Sequence, residues 1–183
     1  AGRFIYSNLT GGQGTEGSKS GTSAAMDING YYTNNLQLMG YNGNYALGFN
    51  ISNIGAKLSY TEDIKNFIPT NLKIGGAATI NIDDYNSISA TLEINKLLIP
   101  TPPIYYQKGD TMSNNEIVLS SNTHIKYGTD NEVGIVQGVL QSFYDAPGGF
   151  KEEMQELTFS AGIEYWYAKQ FAVRAGYFHE HQN

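Results

Sequence analysis

Apolar and polar residues alternate over long stretches of this chain, which is the pattern of β-strands whose two faces meet different surroundings. The clearest stretch is Ile88–Lys96. One of its faces carries the apolar residues Ile88, Ala90, Leu92 and Ile94. The opposite face carries serine, threonine, glutamate and asparagine. This stretch is therefore predicted to be a strand with one apolar and one polar face.

Seven stretches of the chain alternate in this way. They are predicted as strands at Gly2–Leu9, Ala24–Tyr31, Tyr45–Asn53, Leu72–Ile82, Ile88–Lys96, Leu157–Tyr167 and Phe171–Phe178. The intervening region 32–44, which contains the breaker pair Asn42-Gly43, is predicted as a turn region. Most of the strands come close to the roughly 9–11 residues that a tilted strand needs to cross a bilayer.

Two architectures fit strands of this kind. In a soluble sandwich the apolar faces form a core, whereas in an outer-membrane barrel they meet lipid and the polar faces line the lumen. The connections favour the barrel, because the turns at 83–86 and 167–170 are minimal and the connection at 97–156 is very long. Short turns on one side and long loops on the other are typical of outer-membrane barrels.

The long connection contains one predicted helix. Thr129-Asp-Asn-Glu132 fits a capping box, in which the threonine oxygen and the glutamate carboxylate bind free backbone amides at a helix start. Apolar residues then recur at helical spacing from Val136 to Phe143, and Asp145-Ala-Pro147 ends the run. We expect a short amphipathic helix that covers the mouth of the barrel or contacts a partner.

Composition excludes several function classes. The 183 residues include no cysteine, which removes disulfide scaffolds, thiolate metal sites and thiol catalysis. The net charge is −6, and the lysines and arginines are scattered, so no nucleic-acid partner is expected. No apolar run is long enough for a transmembrane helix. The glycine-rich stretch Thr10–Gly21 lacks the Gly-Lys-Ser/Thr of a phosphate-binding loop and is interpreted as a flexible loop.

Charged residues also occur on the predicted polar faces of the strands. They are interpreted as a charge network that fills the barrel lumen, because a buried ion without a partner costs several kcal/mol; these residues are Asp27, Lys73, Glu93, Glu164 and Arg174. An acid–base pair of Glu93 and Glu164 is a weaker interpretation, since no nucleophile or cleft accompanies them. His179-Glu-His181 provides too few ligands for zinc. The chain is therefore predicted to have no catalytic residues, metal or cofactor.

Five segments in order resemble the PorV family, the outer-membrane proteins of the type IX secretion system, which lies within the FadL-like fourteen-stranded barrels. The segments are Gly48–Gly55, Phe67–Leu72, Asn95–Pro103, Ser142–Phe150 and Glu164–His181. The resemblance is to the second half of such a barrel, which agrees with the odd number of strands. Residues 1–183 are accordingly predicted to form one partial all-β, antiparallel transmembrane barrel domain with an extracellular insertion at about 97–156.

The resemblance implies a non-enzymatic role in the bacterial outer membrane. Members of this family hold the C-terminal signal domain of secreted cargo, and they carry cargo from a large outer-membrane translocon to a cell-surface sortase complex. The expected partners are therefore the translocon, the cargo signal domains, the sortase or attachment complex, and outer-membrane lipid. The alternative is a FadL-type transporter of hydrophobic small molecules, although the polar inward faces argue against an oily channel.

Two apolar parts of the long loop are the candidate partner-binding surface. One is the predicted helix with the residues that follow it, and the other is the proline-rich exit from the strand that ends near Lys96. The candidates are Val136, Val139, Leu140, Phe143, Tyr144, Phe150, Ile99 and Pro100. Loops on a rigid scaffold often carry function. The competing interpretations are that the helix plugs the barrel mouth and that the proline segment only orders the loop.

Overall fold

The structure is a computed structural model that describes residues 1–8, 20–60, 65–112, 116–118 and 124–181. Nearly all of the predicted glycine-rich loop lies outside these residues, but Gly21 already belongs to a strand. The elements are β1 (Gly2–Ser7), β2 (Gly21–Leu38), β3 (Tyr41–Gly55), β4 (Leu58–Ser59), β5 (Lys65–Asn66), β6 (Asn71–Asn81), β7 (Ser87–Leu97), β8 (Ile104–Tyr105), β9 (Ile125–Tyr127), α1 (Ile135–Gln141), α2 (Phe150–Gln155), β10 (Leu157–Tyr167) and β11 (Phe171–His179).

Seven of these strands form one antiparallel sheet. Its order is β1-β2-β3-β6-β7-β10-β11, so each strand pairs with the sheet strand that precedes or follows it in the chain. Two small sheets, β4-β5 and β8-β9, lie in the connections. The prediction of an all-β, antiparallel chain with seven principal strands is confirmed. In the described residues the sheet is open, with β1 and β11 at its edges.

The register of the sheet separates the apolar and polar residues as the alternation predicts. One row of paired residues crosses the sheet as Tyr32, Leu47, Gly76, Leu92, Ala161 and Tyr177. The neighbouring row, on the other face, is Tyr31, Gly48, Gly75, Glu93, Ser160 and Phe178. The first face consists mainly of aliphatic and aromatic residues, and the second of polar and very small ones. A one-residue shift in any strand would exchange these faces.

The β2–β3 connection differs from the prediction. The region 32–44 is not a turn region, because β2 continues to Leu38 and β3 begins at Tyr41. The turn consists of Met39 and Gly40, both with positive φ (51° and 84°), as a type I′ hairpin turn requires. Gly43 lies inside β3, where a Cβ atom would come within 2.0 Å of the carbonyl oxygen of Thr79. This glycine therefore permits close strand contact instead of forming the turn.

The two remaining tight turns, at 82–86 and 168–170, contact each other. Asp83 accepts hydrogen bonds from the backbone N–H groups of Tyr85 and Asn86 and from the Asn86 amide. Asn86 Oδ1 in turn accepts a 3.1 Å hydrogen bond from the N–H of Ala168, and the N–H of Lys169 donates to the carbonyl of Tyr85. The Asn86 hydrogen bond lowers the pKa of the Asp83 carboxyl below its usual value. One asparagine thus joins neighbouring hairpins.

The core lies at the opposite end of the sheet, among the long connections. The buried aliphatic residues of the described chain are Ala25, Ile68, Leu98, Val118 and Ala146. Most of them belong to the connections between strands, which together form what we call the loop layer (residues 56–70 and 98–156, as far as they are described). In contrast, no element within the described residues covers the apolar face of the sheet, and Leu92 near its middle is 69% exposed. This arrangement is the reverse of a soluble sandwich, in which that face would be the core.

The predicted helix exists but begins later than its motif indicates. Helix α1 starts at Ile135 with Gly134 as its N-cap, and no side chain caps it. The capping box is therefore wrong. Asp130 instead accepts a hydrogen bond from the N–H of Glu132, which closes a local turn. Helix α2, which directly precedes β10, was not predicted. No helix in the described part of the chain is long and apolar enough to cross a membrane.

Candidate functional site

Helix α1 lies in the loop layer with its small and polar side against the protein. Gly138 and Gln141 are buried, and so is Ser142 at the C-cap. A Cβ atom on Gly138 would lie 2.7 Å from the Phe67 ring and 2.9 Å from Pro100 Cγ. Glycine at this position therefore allows the helix to contact the segments that leave β7 and enter β6. The Gln141 amide donates a 2.6 Å hydrogen bond to the carbonyl of Asp130.

The apolar side of α1 is therefore exposed. Five of the predicted partner-binding residues are 48–80% exposed, namely Val136, Leu140, Phe143, Tyr144 and Phe150. We call these five residues the apolar patch. Isolated exposed apolar residues are common, but a helix that buries a glycine, a glutamine and its C-cap serine while exposing a valine, a leucine and the phenylalanine after the cap is unusual. The patch is therefore the best candidate interaction surface in the described loop layer.

The other three predicted partner-binding residues are less accessible. Val139 and Ile99 are half-buried, and Pro100 is buried beside Gly138 of α1. Pro100 packs against α1 at Gly138. The assignment of Ile99 and Pro100 to a partner-binding surface stays a prediction.

A closed ring of hydrogen bonds fastens this loop layer to the sheet. Lys96 of β7 donates to Glu153 (3.0 Å) and Glu156 (2.7 Å). The second oxygen of Glu156 accepts from the Thr101 hydroxyl (2.8 Å), and the N–H of Thr101 donates to Asp145 Oδ2 (3.0 Å). The ring closes through Ala146, whose N–H donates to Glu153 Oε1 (2.8 Å). We call this the carboxylate ring.

Sequence reasoning did not find the carboxylate ring. Its members are separated by up to 60 positions (Lys96 to Glu156), and none of them belongs to a recognisable motif. The available signal was the position of Lys96, which follows Ile88, Ala90, Leu92 and Ile94 on the apolar side of β7. A lysine at the end of an apolar face needs a partner when it is buried.

A second charged cluster lies farther out in the loop layer. Lys126 of β9 forms a 2.9 Å ion pair with Asp110, and its ammonium lies near the rings of Tyr106 and Tyr127. The Lys126 hydrogen bond lowers the pKa of Asp110, and the same bond raises the pKa of Lys126. This cluster joins the β8–β9 hairpin to the loop between its strands.

The five charged residues predicted for a lumen lie at the polar face of the sheet as separate ion pairs. Lys73 pairs with Glu93 at 3.3 Å, and Glu164 pairs with Arg174 directly opposite it on β11. Asp27 lies at a bulge of β2 and pairs at 2.7 Å with Arg3, a partner that the sequence did not single out. Their assignment to a barrel lumen stays a prediction.

The polar face is concave enough to form a shallow groove of about 620 Å³. Glycine and alanine residues of β3, β6 and β10 line it together with Lys73, Glu93 and Asn50. The lining also includes the large apolar and aromatic residues Leu47, Phe49, Leu92 and Tyr31. Among the described residues, no group of three or more His, Asp or Glu side chains could hold a metal ion.

The family model described as "Type IX secretion system protein PorV" matches residues 1–104, which is more than half of the chain. No curated protein matches the sequence. The matched region covers β1 to β7 and ends at the first residue of β8, and it includes the segments Gly48–Gly55, Phe67–Leu72 and Asn95–Pro103 that carry much of the resemblance. The chain therefore belongs to the PorV family of type IX secretion system proteins.

Proposed function

We propose that this sheet is part of the wall of an outer-membrane β-barrel of the FadL-like fourteen-stranded type. The single observation that carries the proposal is the uncovered apolar face, which crosses the sheet from β2 to β11 while the buried core lies in the loop layer. In a bilayer such a face meets lipid, and the tyrosine and phenylalanine residues next to the tight turns, such as Tyr41, Tyr167 and Phe171, occupy an interfacial position.

Within the secretion system the proposed role is that of a non-enzymatic cargo shuttle. The barrel receives cargo from the outer-membrane translocon by binding its C-terminal signal domain, and it delivers the cargo to the sortase or attachment complex. Family membership and the exposed apolar patch support this role. The alternative of a FadL-type transporter of hydrophobic small molecules requires an apolar channel, and the ion pairs Lys73–Glu93 and Glu164–Arg174 on the polar face do not fit one.

The apolar patch is the proposed contact for these protein partners. A few well-placed apolar and aromatic residues commonly supply most of the binding energy of an interface. Val136 and Leu140 are the most useful test positions, since they lie one helical turn apart on the exposed side of α1. Gln137 is exposed on the same helix but outside the patch, which makes it a matched control.

The test is affinity purification of the full-length tagged protein from cells, with mass spectrometry of the co-purifying proteins. We expect translocon or cargo proteins with intact C-terminal signal domains to accompany the unmodified protein. The double variant Val136→Asp/Leu140→Asp should reduce their recovery by about tenfold, equivalent to about 1.4 kcal/mol, whereas Gln137→Asp should not.

Heat-dependent migration on detergent gels would show that both variants still assemble as barrels. Unchanged recovery of all partners with an assembled V136D/L140D protein would contradict the proposed contact. Recovery of the unmodified barrel alone, with a bound hydrophobic small molecule, would contradict the shuttle function itself.

A further inference from the structure

The carboxylate ring contains one side-chain oxygen that the rest of the ring does not satisfy. Asp145 is 1% exposed, and its Oδ2 accepts the hydrogen bond from Thr101. Its Oδ1 is buried and has no hydrogen-bond partner. Every other carboxylate oxygen of the ring is bonded, because Glu153 and Glu156 each use both of theirs. An ionised carboxylate with an unsatisfied buried oxygen is a costly group.

The ring also has more negative than positive charge. The ring contains three carboxyl groups and one cation. The carboxyl groups are those of Asp145, between the two helices, and of Glu153 and Glu156 at the end of α2, and the cation is Lys96 of β7. Both glutamates are bonded directly to the Lys96 ammonium, while Asp145 is bonded to backbone. Asp145 is therefore the member whose ionisation is least compensated.

We propose that Asp145 is a proton-binding switch that sets how firmly the loop layer is fastened to the sheet. With the proton bound, the ring carries two carboxylates and one ammonium, and the unsatisfied oxygen belongs to a neutral group. When the proton leaves, a third negative charge appears in a buried cluster that contacts β7, the segment after it and α2. The three carboxylates then repel one another, and the contacts that fasten the loop layer to the sheet weaken.

The direction of the pH effect follows from linkage. Burial raises the pKa of Asp145, and the charges of Glu153 and Glu156 raise it further, against the lowering effect of the Thr101 N–H group. A group whose pKa is higher in the folded state than in the unfolded state binds protons more tightly when folded. Its stabilising contribution is complete below the unfolded pKa, and it is lost as the pH rises through the folded pKa.

Hydrogen–deuterium exchange of the full-length protein in detergent or vesicles tests this inference. The peptides to follow cover residues 98–102 and 142–156, from about pH 3 to pH 9, a range that spans the usual pKa of Asp and neutrality. After correction for intrinsic exchange, we expect their protection to fall as the pH rises, by about tenfold for each pH unit between the two pKa values. The sheet peptides of β6 and β7 should serve as the internal reference.

Asp145→Asn keeps the shape of the protonated side chain and removes its titration. It should give loop-layer protection that is high and independent of pH. Asp130→Asn, at an exposed carboxyl in the same loop layer, should retain the unmodified profile. Overlapping profiles for the unmodified protein and D145N, or an unmodified profile without pH dependence, would overturn the inference.

A direct observation covers the case in which D145N fails to assemble. Infrared spectroscopy of the unmodified protein in deuterated buffer reports protonated carboxyl groups, and selective ¹³C labelling of aspartate identifies their type. We expect a protonated aspartate signal that persists above the usual pH range of Asp titration and disappears as loop-layer protection falls. If every aspartate is ionised at its usual pH, the inference is wrong.

Discussion

At the scale of single residues, the tight turns use amino acids that do not suit their backbone. Ala168 and Lys169 both have positive φ, 51° and 53°. The left-handed region costs an L-residue roughly 1–2 kcal/mol, whereas glycine adopts it freely and asparagine tolerates it. The Met39-Gly40 turn already has glycine at its second position. The β10–β11 hairpin thus retains strain that the β2–β3 hairpin avoids in part.

We therefore expect the double substitution Ala168→Asn/Lys169→Gly to stabilise the protein. Asn-Gly is the preferred pair for a type I′ turn, and the gain should be about 1 kcal/mol. The hydrogen bonds at this turn are retained, because the backbone N–H groups of Ala168, Lys169 and Gln170 donate them. Equilibrium unfolding in denaturant, with the unmodified protein measured in parallel, checks the prediction. A lower free energy of unfolding would show that the two residues have another role.

At the scale of elements, neighbouring hairpins are joined by a side chain in addition to the sheet. Asn86 belongs to the β6–β7 turn, but its Oδ1 accepts from the backbone of the β10–β11 turn. The Asn86 side chain donates two hydrogen bonds to Asp83 and accepts one from Ala168, and all three are 3.1 Å or shorter. The turns therefore form one bonded unit even though 82 positions separate Asn86 from Ala168.

Substituting Asn86→Ala should release the β10–β11 turn from its neighbour. We expect a loss of about 1–2 kcal/mol, since several exposed hydrogen bonds are removed together. Asp84→Ala, in the same turn, is the control, because no hydrogen bond of the turn described here uses its side chain. The free energy of unfolding and the exchange of the N–H groups of Ala168 and Lys169 measure the effect. Equal destabilisation by both variants would mean that the turn, and not the Asn86 contacts, is responsible.

At the scale of the whole molecule, the apolar residues of the sheet are exposed, whereas in a soluble protein they would form the core. Its apolar face is uncovered, its polar face carries ion pairs, and its buried residues lie mostly in the loop layer. Adjacent residues of β7 show the contrast, because Leu92 points to the apolar side and Glu93 pairs with Lys73 on the other. If the sheet lies in a membrane, a charged substitution of Leu92 should be more damaging than neutralisation of Glu93. If the protein is soluble, Leu92 is exposed to water and should tolerate the charge.

Leu92→Arg should block assembly into the outer membrane, because a cation near the lipid midplane costs about 2–4 kcal/mol. Glu93→Gln should assemble nearly normally, since its ion pair with Lys73 is part-exposed and such pairs contribute at most about 1 kcal/mol. Cell fractionation and heat-dependent gel migration of the full-length protein distinguish the outcomes. Equal damage from the two substitutions would contradict the assignment of the faces.

Most of the sheet was predictable because alternation records which side each residue faces. The boundaries of β6 and β7 agree with the sequence to within one residue. The second half of β2 was missed because Asn34 lies on the mainly apolar face, beside Tyr32 and Leu36, so the alternation fails there. Gly43 was misread as a turn residue because close strand contact and turns both require glycine.

The loop layer was predicted less well because its contacts are distant in the sequence. The spacing of Val136 and Leu140 predicts a helix, but it cannot show that their side of α1 faces outward. That outcome depends on Gly138 meeting Phe67 and Pro100, 71 and 38 positions away. The carboxylate ring likewise depends on the position of α2, and no local pattern encodes it.

The connection between β7 and β10 has a consequence for the order of folding. Residues 98–156 separate these two adjacent strands, whereas the hairpins on either side close through turns of a few residues. A short hairpin forms in microseconds. Each doubling of a flexible loop adds about 0.6 kcal/mol to the entropy cost of bringing its ends together. The β6–β7 and β10–β11 hairpins should therefore form first as independent units, and the seam between β7 and β10 should be the last to close along this sheet.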